Sequence, residues 1–149
     1  MARTERDNDL RRVAMDLLAR REHSRSELRA KLRRRGADPA AIDPVLERLD
    51  ADGLQSDARY TEAFAQSLVR RGKGPLRIRG ELRMHGVDDA VIETALAALS
   101  PNWGELATAA RSKRFGAALP DTRDERARQA RFLEQRGFAA EHIRAALAF

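Results

Sequence analysis

Three glycines set the frame for this chain. Gly36, Gly86 and Gly137 are separated by 50 and 51 residues. Four residues before each stands Leu32, Leu82 or Leu133. Six after stands Ile42, Ile92 or Ile143, and ten after stands Leu46, Leu96 or Leu147. Agreement at four positions in three copies defines an internal repeat. Within each copy the apolar residues recur at spacings of three and four, the period of a helix face. The expected fold is all-α: three tandem three-helix repeats of helix-turn-helix-like units, at residues 1–54, 55–100 and 101–149. A unit of about 50 residues buries only a modest core by itself. Stacked neighbours supply the rest, so the array of about nine helices is expected to be elongated and curved rather than balled up.

Local signals place the helices. Residues 1–6 are expected to be frayed, with a first helix from about Asp7 to Arg21 carrying Leu10, Val13, Ala14, Leu17 and Leu18 on one face. Ser24 and Glu27 have the spacing of a capping box, as do Thr122 and Glu125. Asp38-Pro39 is a cap and first-residue pair for the third helix, which Pro44 should bend unless Asp43-Pro44 is its true start. Ser56 or Asp57 caps a helix through Arg71. Gly72, Gly74 and Pro75 end it and open the next, which runs to His85. Asp88 caps the sixth helix, and Ser100-Pro101 breaks the chain after it. Gly80 inside the fifth helix costs about 1 kcal/mol relative to Ala, and no role for it is evident. The third copy departs most, with a longer loop and Gln129 where Leu28 and Ile78 stand.

Charge repeats with the same phase. From Arg20 to Arg35 basic residues dominate, whereas Ala37 to Asp57 holds Asp38, Asp43, Glu47, Asp50, Asp52 and Asp57 against Arg48 alone. Arg70 to Arg83 is again basic, and Met84 to Leu99 carries only acids. The second helix of each early unit is thus cationic and the third anionic, which in an array would give a positive and a negative side. The formal net charge is +6, which favours a polyanionic partner or an acidic protein surface.

Several function classes are disfavoured. There is no cysteine, which removes disulfides, thiolate catalysis and zinc-thiolate sites. Aromatic residues make up 5%, too few for a base-stacking platform. No apolar run approaches the roughly 20 residues that span a membrane. The start MARTERDNDLRR lacks the apolar stretch of a signal peptide, so a soluble cytoplasmic protein is expected. Gly72-Lys73-Gly74 lacks P-loop spacing and reads as a structural loop. His23, His85 and His142 are scattered and read as packed or capping histidines. Trp103 and Phe115 are expected in the core. With no metal-ligand or paired-carboxylate constellation, no cofactor, metal or catalytic residue is assigned, and the chain reads as a non-enzyme.

The run YTEAFAQSLVRRGKGPLRIRGELRMHGV, with Gly72, Gly74, Pro75, Ile78, Glu81, Leu82 and Gly86, resembles the RecX family of bacterial recombination regulators. HSRSELRAKL, Gly53-Leu54 followed by Asp57, and RFLEQRGF are also similar to it, so the resemblance covers nearly the whole chain. Pro44, Gly80 and an ending directly after the last helix depart from it. The resemblance implies an all-helical chain of three-helix repeats that binds RecA or its filament on single-stranded DNA. It implies restraint of ATP hydrolysis, strand exchange and co-protease activity, and so a role in recombination, DNA repair and the SOS response. It also implies a seat in the filament groove.

The expected contacts with RecA or DNA phosphate are Arg70, Arg71, Lys73, Arg77, Arg79 and Arg83 in the middle unit. Arg33 and Arg34 join them, although cations at a helix C-terminus also suit the dipole. Arg111, Lys113, Arg114, Arg126, Arg128 and Arg131 form a third group. The expected partner is the RecA nucleoprotein filament, with single-stranded DNA touched through phosphates by a monomer. Two alternatives stand beside it: a tandem helix-turn-helix protein acting directly on duplex DNA, and a helical scaffold for another protein through its acidic third helices.

Overall fold

The structure, a computed structural model, describes residues 2–99 and 101–148, with side chains from residue 6 onward. Met1, Ser100 and Phe149 lie outside the described residues, so the proposed break at Ser100 is not addressed. Among the described residues there are nine helices and no strand. They are α1 (Ala2–Arg20), α2 (Arg25–Arg34), α3 (Pro39–Ala51), α4 (Asp57–Arg70), α5 (Pro75–Met84), α6 (Asp89–Leu99), α7 (Trp103–Phe115), α8 (Arg123–Arg136) and α9 (Ala140–Leu147). The first helix begins at Ala2 rather than near Asp7. Ala, Arg and Glu are strong helix formers, and extending a nucleated helix costs little.

The caps follow the side chains. Ser24 accepts from the Glu27 N–H while Glu27 accepts from the Ser24 N–H, so the first capping box closes. At Thr122 only half of the second one forms. Glu125 turns instead to Arg128 and Gln129. Asp38 caps α3 ahead of Pro39, and the helix runs on through Pro44. The Ala40 carbonyl that Pro44 leaves without a donor lies at an exposed position, where water can serve it. Ser56, not Asp57, caps α4.

Each trio of helices closes on its own core. Leu28, Leu32, Ile42, Leu46 and Leu49 fill the first, and Ile78, Leu82, Ile92 and Leu96 the second. Leu133, Ile143, Leu147 and Phe138 fill the third. Every repeated Leu and Ile is therefore buried, as the periodicity required. The helix pairs in extensive contact all belong to the same trio, which is the arrangement of an extended array.

What joins the trios decides where the cations lie. The Gly74 N–H donates to the Arg136 carbonyl at 2.7 Å and the Leu76 N–H to the Gly137 carbonyl at 2.9 Å. The C-terminus of α8 therefore meets the N-terminus of α5. One unit earlier, Ser24 Oγ donates to the His85 carbonyl at 3.1 Å, so the C-terminus of α5 meets the N-terminus of α2. Positive and negative helix ends oppose each other at both joints. The three second helices thus follow one another head to tail in the order α8, α5, α2. Trp103 packs against both the second and third cores. The first joint is polar: Asp57 accepts from the Arg25 N–H at 2.8 Å, and Arg59 pairs with Glu22 at 3.0 Å.

Candidate functional site

A convergence of positive charge sits at the joint between the second and third units. Gly72 and Gly74 shape the chain between α4 and α5. A Cβ on Gly74 would lie 2.5 Å from the Gly137 backbone, so the loop is fixed by close approach. Gly72-Lys73-Gly74 is accordingly a structural joint. The loop carries Lys73 beside Arg71, Arg77 and Arg136. Partial burial holds the Lys73 amine below its ordinary value, and the charges of Arg136, Arg77 and Arg71 push it the same way against the smaller opposing pull of Glu81. Four cations against one carboxylate leave a net positive site that an anion would relieve.

Arg136 was not among the residues expected from sequence. Its Nη1 donates to the Arg71 carbonyl at 3.3 Å, and its guanidinium lies over the Phe132 ring at 4.9 Å from the centroid. The only sequence signal was its place one residue before the third repeat glycine.

The other expected contacts differ in their surroundings. Arg33, Arg34, Arg70, Lys113 and Arg131 are exposed and make no ion pair among the described residues. Arg79 and Arg83 instead pair with acids of α6: Arg79 with Glu93 at 2.6 Å and Arg83 with Asp89 at 2.7 Å. Arg29 likewise holds Asp43 of α3 at 3.0 Å. The expected clean division into positive and negative sides is thus corrected, because several cations face the acidic third helix of their own unit. These pairs are exposed and individually weak. Arg114 and Arg128 lie over the Phe115 ring at 5.6 and 5.2 Å, and Arg128 also pairs with Glu125 at 3.0 Å. Arg126 is exposed on α8.

Arg111 is a correction. It is 2% exposed and cannot meet a partner. Its guanidinium donates to the Ala117 and Ala118 carbonyls, at 3.2 Å each, and to Gln129 Oε1 at 3.3 Å. Gln129 departs from the Leu28 and Ile78 pattern because it serves this buried arginine, and the pair ties down the long loop after α7. Phe115 is a second correction. It is half-buried at the edge of the third unit, edge-on to Phe132 with ring centres 5.2 Å apart, where it supports arginines instead of filling the core.

The histidines are structural. His23 is buried, with Nδ1 3.0 Å from the Arg21 carbonyl and Nε2 2.9 Å from Lys31 Nζ. That arrangement suits a neutral ring that donates at Nδ1 and accepts at Nε2. His85 Nδ1 lies 2.6 Å from the Tyr60 hydroxyl. His142 accepts the Ala139 N–H at the start of α9, where no capping side chain exists.

Three separate segments match one family in order. Residues 11–49 match the first RecX three-helix domain, residues 56–96 the second and residues 105–147 the third. The chain belongs to the RecX family. It is 50% identical over 139 residues to the regulatory protein RecX of Halorhodospira halophila, covering 93% of this chain and 86% of that protein. It is 49% identical over 134 residues to that of Pseudomonas savastanoi pv. phaseolicola, covering 90% and 86%. The crystal structure of RecX from Lactobacillus salivarius superposes with a TM-score of 0.84 at 21% identity, over 97% of this chain and 96% of that one, and so shares the fold. RecX relatives are named as regulatory proteins, and the chain is one of a regulatory family. No helix among the described residues is long and apolar enough to cross a membrane.

Proposed function

We propose that this RecX-family chain binds the RecA filament on single-stranded DNA and restrains its ATPase, strand-exchange and co-protease activities. It does so without catalysis of its own, as a cytoplasmic monomer in recombination and repair. The observation that carries this reading is the head-to-tail order of α8, α5 and α2. Arg131 belongs to α8, the Arg71–Lys73–Arg77–Arg136 cluster to the joint between α8 and α5, and Arg33 with Arg34 to the end of α2, which supports reading them as one cationic row. An extended polyanion or a filament with acidic protein surface offers many contacts to such a row at once, so weak individual pairs add through multivalency. DNA phosphates are the nucleic-acid contact expected here, since the Phe115 and Phe132 rings beside the cations are half-buried, packed edge-on to each other and covered by Arg114, Arg128 and Arg136.

The test is RecA ATPase on single-stranded DNA with sub-stoichiometric amounts of this protein. Inhibition by the wild type, weakened in the folded triple variant Arg70→Glu, Arg71→Glu, Lys73→Glu, is the expected result. No effect of the wild type on the ATPase would remove the proposal. Sequence-dependent binding to naked duplex that survives moderate salt would favour the tandem helix-turn-helix reading instead, because charge-only contact fades steeply with salt.

A further inference from the structure

The outward pole of α5 is unlike that of the other second helices. Leu76, Gly80 and Met84 are four residues apart, so successive members are displaced by only about 40° around the helix axis. The pole lies opposite the buried Ile78 and Leu82. Leu76 is 54% exposed and Met84 is 85% exposed. Between them a Cβ on Gly80 would meet nothing within 4 Å, so the glycine is not there for packing inside this chain. Arg77 and Arg83 occupy the remaining corners of the same face. They pair with Glu81 at 3.9 Å and Asp89 at 2.7 Å, but both arginine side chains stay exposed, which leaves their guanidiniums open to further acceptors.

A lone exposed leucine needs no explanation. Here two large apolar side chains, a glycine that weakens the helix and two arginines coincide on just over two turns of one face. The repeat supplies the control. The corresponding places hold Ser26, Ala30 and Arg34 in α2, and Ala127, Arg131 and Gln135 in α8. Among the described residues of the three second helices, only those of α5 flank a glycine with two exposed apolar side chains, which makes a shallow, apolar-walled dimple.

We propose that this dimple is a protein-docking site: an apolar side chain on the partner's surface seats over Gly80 between Leu76 and Met84, with flanking carboxylates on Arg77 and Arg83. Charge complementarity selects the flanks, and the apolar walls select protein over nucleic acid, which offers no aliphatic knob on its phosphate surface. Methionine's adaptable chain suits the wall of such a seat. The inference rests on the reading that the chain binds a RecA filament. It assigns α5 to the protein part of that filament.

The test is binding of the full chain to RecA filaments on single-stranded DNA, and to the bare single strand, by fluorescence anisotropy. Gly80→Leu fills the dimple while adding helix propensity, so its melting temperature should rise as its filament affinity falls by about tenfold or more. Met84→Asp should lose filament affinity as well, and Met84→Leu should keep it. Binding to the bare strand should be unchanged in all three. Unchanged filament binding by Gly80→Leu, with the Arg70, Arg71, Lys73 triple variant still impaired, would overturn this inference and leave the proposed function standing. An equal loss on the bare strand would also overturn it, by making the dimple a nucleic-acid contact. A wild type that binds no filament would remove both.

Discussion

Replacing Gly137 by Ala should open the joint between the second and third units, and Gly36 supplies the matched control. Both glycines follow a second helix with positive φ, +87° at Gly36 and +96° at Gly137. A Cβ in this region costs about 1–2 kcal/mol at either position. The change also lowers unfolded-chain entropy equally in the two variants, so that effect cancels in the comparison. The surroundings differ. At Gly36 the added Cβ meets nothing within 4 Å, whereas at Gly137 it collides with Arg77 Cβ and lies 2.6 Å from the Arg77 backbone nitrogen. Backbone cannot step aside as a side-chain tip can, so α5 must move off α8. That movement breaks the Gly74–Arg136 and Leu76–Gly137 hydrogen bonds. At a net 0.5–1.5 kcal/mol each, the excess loss in Gly137→Ala over Gly36→Ala is about 1–3 kcal/mol. Urea titration followed by circular dichroism measures the difference. In a melt it corresponds to about 2–4 °C per kcal/mol for a chain of this size. Small-angle scattering should also show a longer particle for Gly137→Ala alone. Equal losses in the two variants would refute the head-to-tail contact.

Arg111→Ala should cost about 2–4 kcal/mol in urea titration, because the Ala117 and Ala118 carbonyls and Gln129 lose their donor. Its salt slope for single-stranded DNA should match the wild type, whereas Arg131→Glu should flatten that slope. Burial, followed by the Arg21 and Lys31 charges, holds His23 below its ordinary value, against the opposing pull of its bond to the Arg21 carbonyl. The unfolded chain therefore binds that proton more readily, and stability present above about pH 6.5 should fall as pH drops below it. His23→Gln should flatten a chemical-denaturation profile as pH falls below about 6.5. A second loss belongs below the ordinary glutamate range, about pH 4.3. There the Arg79 bond holds Glu93 low, and at Glu27 the Arg21 and Ser24 bonds outweigh the upward push of burial. Arg79→Gln should shrink that acid step.

The fold was legible because the repeat encodes it twice, once in the leucines and isoleucines that face inward and once in the glycines that stop each second helix. Caps at Ser24, Asp38 and Thr122 were legible for the same local reason: the acceptor and the N–H it serves lie two or three residues apart. The site was legible only in outline. Arg70, Arg71, Lys73 and Arg77 are where a basic run next to a glycine loop would put them. Arg136 joins them from 65 residues beyond Arg71, through an end-to-end contact that no periodicity announces. Arg111 read as a surface cation because charge in sequence carries no burial information. The clue was its neighbour in space, since a Gln at a core position needs a buried polar partner. Phe115 read as core because spacing cannot distinguish a ring packed inward from one packed beneath guanidiniums.

If α8, α5 and α2 present one cationic row to a RecA filament, an electron-microscopy map of the protein on RecA–single-stranded DNA will resolve it. The expected density has the three second helices end to end along the filament, with Arg33, Arg34, Lys73, Arg77 and Arg131 turned toward it. A map in which α3, α6 and α9 face the filament while those arginines point to solvent would contradict it.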